Sequence, residues 1–169
     1  MRRNANRRDA GEAAVRSAVV APFVAALAVS ASLAQAPGDP GAAAAGVENP
    51  QRAWQDWTLN CQGCHRPDGH GSAGAAPDIA GTVARFLRVD GGRDYLGRVP
   101  GVATSPLSSR DLAEVLNWML WRFDFADIPA NFEPFTAAEI DRLRTRPLRN
   151  EASQMRRELL KKIDRTPIR

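Results

Sequence analysis

The chain has 169 residues, of which 44% are hydrophobic and 25% charged, and 23 basic against 19 acidic residues give a net charge of +4. This is an ordinary globular composition with room for one domain, and it excludes a collagen, a disordered tail protein and, with only two cysteines, a disulfide-built miniprotein. The charge excess is too small to argue for nucleic acid as a partner.

The N-terminus reads as an address. Arg2, Arg3, Arg7, Arg8 and Arg16 precede an uncharged Ala/Val/Leu/Phe stretch over 17–34, which ends with Ser32 and Ala34 where a signal peptidase reads small residues. This order predicts a cleaved signal peptide over 1–34 and export to the periplasm. The alternative is an uncleaved membrane anchor, but the stretch is mostly alanine and contains Pro22, which weakens it as a span. Behind the signal the charge is uneven: 8 basic and 12 acidic residues over 35–135, then 10 basic and 5 acidic over 136–169. An acidic body carries a basic tail.

Residues 35–48 start with a Pro/Gly/Ala-rich stretch and predict a flexible linker. Asn49 as cap and Pro50 at the first helical position predict a helix through Trp54 and Trp57 to about residue 60. Residues 67–77 form a Gly-rich loop, and a short helix is expected over 82–87. A further loop carries Gly91, Gly92, Gly97, Pro100 and Gly101. Ser108 with Asp111 gives a capping box and Leu107 with Leu112 its hydrophobic staple. They start a helix whose Leu112, Val115, Leu116, Met119 and Phe123 recur on one face. After an irregular 124–134, Thr136 with Glu139 and Phe135 with Ile140 repeat both signals, and Pro147 closes that helix. A last helix over about 150–163 has a thin stripe of Met155, Leu159 and Ile163. No segment shows strand alternation and there are no internal repeats, so the fold class is all-α.

Cys61-Gln-Gly-Cys64-His65 carries the chemistry. It is the c-type haem attachment pattern. Two thiols three positions apart lie along one edge of a helical turn and can add to the two vinyl groups of one porphyrin. The adjoining His65 is then placed beneath the iron as its proximal ligand. Two other readings use the same cysteines. A Cys-x-x-Cys serves as a dithiol redox centre. It also makes half of a zinc site, but zinc takes four ligands and only His70 remains among the histidines and cysteines.

From residue 49 to about 123 the chain resembles the class I, mitochondrial-type cytochrome c family. Ala53 matches the family's small residue eight before the first cysteine, and Trp57 its aromatic four before. After the histidine come Gly69, Gly71 and Gly74, then Pro77-Asp-Ile79 in place of the family's Pro-x-Leu. Trp118 matches the aromatic that crosses over the small residue of the first helix. The resemblance implies a helical cytochrome c domain over 49–135 around one covalent haem c, held through Cys61 and Cys64, with a basic helical extension over 136–169. It implies that the Pro77 carbonyl accepts the ring N–H of His65. It also implies a one-electron carrier rather than an enzyme, working with a dehydrogenase, another cytochrome or an oxidase.

The chain departs from the family on the other face of the iron, where most members use a methionine followed by proline. Here Val99 precedes Pro100. Met119 is the candidate sixth ligand, weighed against a packing role at the porphyrin edge. Met155 reads as helix docking and His70 as a surface histidine. If no side chain binds, Val99 lines an open apolar pocket, and the protein becomes a binder or sensor of a small ligand. Ile79, Leu87, Val99, Val102, Leu116 and Met119 are expected to bury the haem. Arg85, Arg88, Arg93, Arg98 and Tyr95 are candidates for its propionates. The basic tail (Arg156, Arg157, Lys161, Lys162, Arg165) is a candidate dock for an acidic partner, including a dehydrogenase of which this chain would be a subunit. Its stripe is too thin to favour membrane contact.

Overall fold

A computed structural model describes residues 46–74 and 76–166. The signal peptide over 1–34 and most of the 35–48 linker lie outside the described residues. The described chain is helical: α1 (Pro50–Asn60), α2 (Gln62–His65), a 3-10 turn (Ala84–Arg88), α3 (Gly92–Arg98), α4 (Pro100–Ala103), α5 (Ser109–Asp124), a second 3-10 turn (Phe125–Asp127), α6 (Ala137–Arg144) and α7 (Ala152–Arg165). Among the described residues the only extended pairing is a single antiparallel bridge, Ser72 with Ala76.

Helix starts follow their caps. Asn49 Oδ1 accepts from the Arg52 N–H at 2.9 Å, and Pro50 occupies the first turn. Ser108 Oγ accepts from the Asp111 N–H at 3.1 Å and Thr136 Oγ1 from the Glu139 N–H at 3.2 Å. The return arm of the second capping box is spent elsewhere. The Glu139 carboxylate takes the Arg93 guanidinium at 2.6 and 2.8 Å, joining α6 to α3.

Helix α5 is the axis of the core. Its expected stripe is largely buried, but so are Ala113, Asn117, Trp118 and Leu120. The reason is that α5 has neighbours on two sides, α1 and α6. On the α1 side, Ala53 and Trp57 are buried, and Trp57 lies 6.0 Å from Trp118 and 4.9 Å from Phe123 between ring centroids. A one-carbon side chain at Ala53 lets the helices approach closely. On the other side Asn117, 1% exposed, donates from Nδ2 to the Phe135 carbonyl at 3.0 Å and accepts from the Phe135 N–H at 2.8 Å. One amide side chain thus satisfies both backbone groups of the residue that leads into α6.

The loop expected around Gly91–Gly101 is instead two helices, α3 and α4. Its glycines and proline read as breakers, yet Pro100 sits in the first turn of α4, where a missing N–H costs nothing. Gly97 is there for space: a Cβ at that position would overlap Leu143 of α6. The final third of the chain also enters the core. Ile140, Leu143, Leu148, Leu159 and Ile163 are all buried in the same cluster as Trp57 and Trp118. Burial of each such side chain contributes about 1.5–3 kcal/mol. Most of the stripe of α7, Leu159 and Ile163, is therefore spent inside the protein.

The end of α5 is tied to the first 3-10 turn by Asp124, 6% exposed, whose Oδ2 accepts from the Ala84 N–H at 2.7 Å. Burial pushes its carboxyl up to about 6, with the backbone N–H of Ala84 opposing and Asp127 adding to the rise. The folded state thus holds this proton more tightly than the unfolded chain. Stability from this group is fully present below about pH 4 and is lost as pH rises through about 6. Asp124→Asn keeps an acceptor for Ala84 without a titrating charge. In urea unfolding, its stability relative to the parent is expected to improve steadily between pH 4 and 7; a constant difference across that range would contradict this role for Asp124.

Candidate functional site

Helix α1 ends at Cys61, whose N–H still bonds the Trp57 carbonyl at 2.8 Å while its backbone leaves the helical region (φ −125°). The chain re-enters a helix for one turn, α2, and stops at Arg66 with φ 61°. Cys61, Cys64 and His65 therefore share one turn, with Cys61 and His65 half-buried, Cys64 exposed and both thiols free. Burial, helped by Asp56 and Cys64, pushes the Cys61 thiol up to about 11. Among the described residues no three His, Cys, Asp or Glu side chains cluster as metal ligands. Among the described residues the half-zinc-site reading therefore finds none of the further ligands zinc takes.

His65 Nδ1 lies 3.1 Å from the Pro77 carbonyl oxygen. A carbonyl can only accept, so Nδ1 carries the hydrogen and Nε2 keeps a free lone pair. Burial holds this imidazole below its usual range; the Pro77 carbonyl opposes that shift and the positive charge of Arg156 adds to it. The neutral ring is the form that binds a metal ion. The Trp57 ring lies 5.9 Å from the His65 ring, so the wall behind it belongs to the α1–α5 core.

The Gly-rich loop fixes the Pro77 carbonyl. The Ile79 and Ala80 N–H groups bond the Gly69 carbonyl at 2.9 and 3.2 Å, the Gly71 N–H bonds Asp78 Oδ1 at 2.6 Å, and Ser72 pairs with Ala76. Gly71 leaves no room for a side chain, since a Cβ would overlap the Ala76 carbonyl and reach 2.8 Å from the Pro77 oxygen. His70 is exposed, with Nδ1 3.9 Å from Asp78 Oδ2, in keeping with a surface histidine.

The remaining expected residues come from other elements. Val99 is half-buried at the joint of α3 and α4, and Met119 is buried on α5. Ile79, Leu116 and Met119 belong to the core cluster, with Leu87, Val99 and Val102 packed against it. Met155 is half-buried on α7, at a surface pocket lined also by Asp94, Arg98 and Glu158. The four arginines considered for propionates are engaged elsewhere. Arg85 meets Asp164 at 3.7 Å, Arg88 meets Asp127 at 2.7 Å, Arg93 holds Glu139, and Arg98 donates to the Arg146 carbonyl at 2.7 Å. Asp164, Glu139 and Arg146 lie in 136–169, so these contacts tie the body of the chain to its final third.

Two arginines of the final third do more than their place in a basic tail suggests. Arg144 donates to the carbonyls of Ala103, Ser105 and Leu107, the last at 2.8 Å, pinning the segment that follows α4. Arg156 reaches the Asp78 carbonyl at 3.4 Å and lies over the Phe86 ring, 5.2 Å from its centroid. These contacts span 37 to 78 residues, and only the even spacing of Met155, Leu159 and Ile163 hinted that α7 packs inward.

The chain is 36% identical over 106 residues to two proteins named cytochrome c-552, both from Thermus thermophilus. The matches cover 52% of this chain and 81% and 72% of those relatives. This chain belongs to the class I-type cytochromes c. It is a haem-based electron carrier rather than an enzyme, and the family implies covalent haem c. No family model and no solved structure matches the cytochrome. Its residues fit the group: two free thiols on one turn, and a neutral imidazole whose Nε2 is left open by the Pro77 bond.

Glycine substitutions separate the loop from the helical turn. Gly71→Ala must displace the Ala76–Pro77 backbone and is expected to cost about 1–3 kcal/mol. Gly63→Ala, with nothing within 4 Å of its Cβ, is expected to be neutral or stabilising by up to about 1 kcal/mol. Urea unfolding of the two haem-loaded variants checks the contrast.

Proposed function

We propose that this cytochrome carries one electron at a time on a single haem c, attached through Cys61 and Cys64 and bound at the iron by His65 Nε2. The observation that carries this reading is the Pro77 carbonyl on His65 Nδ1, beside two free thiols on the same turn. The haem supplies the one-electron couple. The protein's part is to hold the imidazole in one tautomer and one orientation and to keep water from it. Ile79, Leu116 and Met119 of the core cluster, and Leu87, Val99 and Val102 packed against that cluster, are the apolar side chains this reading assigns to the dry wall.

The burial of Met119 on the core helix, 7% exposed, suits both a thioether ligand and a packing role at the ring edge, which the absorption spectrum separates. Were no side chain to bind the iron, Val99 would line an open apolar face, and the ferric protein would be high-spin and take up carbon monoxide once reduced, the mark of the small-ligand reading. A thioether ligand would instead give a weak long-wavelength charge-transfer band, lost in Met119→Ala.

The reading places the mature chain in the periplasm after cleavage of 1–34. Among the described residues no helix is long and apolar enough to cross a membrane. Its partners are redox proteins: a dehydrogenase, a cytochrome or an oxidase. Arg157, Lys161, Lys162 and Arg165 remain exposed on α7 for an acidic surface. Deletion of 136–169 cannot test that role, because it removes Ile140, Leu143, Leu159 and Ile163 from the core. Charge reversal at Lys161 and Lys162 leaves the core intact and tests it.

Attachment is tested by the mass of the protein exported from a host competent in thioether formation. The expected result is the chain cleaved after Ala34 plus one haem that survives denaturation. Cys61→Ala and Cys64→Ala should each leave at most one thioether, and His65→Ala should lose the axial nitrogen, seen as a shifted absorption band. A colourless protein at its apoprotein mass overturns the reading.

A further inference from the structure

Helix α7 brings one arginine into the loop that holds the site. The Arg156 guanidinium has three neighbours from three elements. Its Nη2 donates to the Asp78 carbonyl at 3.4 Å, its plane lies over Phe86 of the first 3-10 turn, and Phe86 stacks at 5.1 Å on buried Tyr95 of α3. Burial pushes the Tyr95 hydroxyl up while the charge of Arg156 pulls it back. Asp78 turns its carbonyl to Arg156 and its carboxylate the other way, to the Gly71 N–H and His70. The cation is therefore half-buried, and among the described residues no carboxylate bonds it.

We propose that Arg156 is a positioning and charge-setting residue of the redox site: it braces Asp78, the chain neighbour of the Pro77 whose carbonyl orients His65, and its fixed positive charge raises the reduction potential. This rests on the reading that seats a haem at Cys61, Cys64 and His65. The effect is electrostatic. One electron arrives from the partner protein, no proton is needed, and the charge of the site falls by one unit. A fixed cation nearby favours the reduced form, more so in a half-buried setting than in water. The anchoring serves to keep the charge near the site. A guanidinium stacked on Phe86 and bonded to a backbone carbonyl cannot swing away as an exposed side chain can. Exposed Arg157, one residue on, has the same charge and supplies the comparison.

The test is a redox titration of the haem-loaded protein, followed in the visible spectrum. Arg156→Gln is expected to raise the ferric-to-ferrous ratio at a fixed ambient potential about threefold or more. That is roughly 30 mV downward at 59 mV per tenfold for one electron. Arg156→Lys, which keeps the charge, should stay within about twofold of the parent, as should Arg157→Gln. A merely structural Arg156 would lower the unfolding midpoint in both Arg156 variants and leave the ratio unchanged, which overturns the proposal. Equal shifts in Arg156→Gln and Arg157→Gln would overturn it too, since net charge alone would then explain them. Should Arg156→Gln fail to fold, Arg156→Lys can be acetylated after folding. The chain's other lysines are Lys161 and Lys162, so acetylated parent protein is the control. The ratio should rise in the acetylated variant beyond that control, and equality with it overturns the proposal. Failure of the underlying reading looks different: the parent itself would show no covalent haem to titrate.

Discussion

The bond from His65 Nδ1 to the Pro77 carbonyl is the interaction around which the site is arranged. It decides which ring nitrogen carries the hydrogen, and so which one is free. It also fixes the ring plane, since one nitrogen is tethered and the backbone is held in a helical turn. The loop between them is built to deliver that carbonyl. Its bonds from Ile79 and Ala80 to Gly69, its Ser72–Ala76 bridge and its side-chain-free Gly71 leave the Pro77 peptide little freedom. A histidine on a one-turn helix would otherwise be a weakly oriented ligand.

Around this contact the molecule has two structural halves that share one core. The first is the crossing of α1 and α5, where Ala53, Trp57, Trp118 and Phe123 form the wall behind His65. The second is α6 and α7, which come from the basic end of the chain. Their apolar faces complete the core, while their arginines bond backbone carbonyls on the segment after α4 and on the Pro77 loop. The positive charge of this region is thus of two kinds. Part of it is structural and turned inward, and part of it, at Arg157, Lys161, Lys162 and Arg165, faces solvent.

What could be read from the sequence was local. The caps at Asn49, Ser108 and Thr136 act within three residues, and each stands where its side chain predicts a helix to begin. The Cys-x-x-Cys-His turn is local as well, and the pairing of His65 with Pro77 came from the family likeness. The failures are of two types. Gly92, Gly97, Pro100 and Gly101 carry breaker signals, but α3 and α4 form because tertiary neighbours need the space that Gly92 and Gly97 leave and Pro100 suits a first turn. The partners of Asn117, Arg144 and Arg156 lie far away in the chain, and polar residues on a helix give no sign of which distant carbonyl they will meet. The one-face reading of α5 failed for the same reason, since its second neighbour begins beyond an irregular connection.

The close approach at Gly97 binds two distant positions into a single steric unit. Where α3 meets α6 there is space for one side chain, and Leu143 occupies it. A larger residue at 97 must displace the Leu143 side chain or part the helices and expose the apolar seam between them. A side chain at 97 and the present seat of Leu143 therefore compete for the same space, so the rotamer of one residue is set by the absence of the other's side chain.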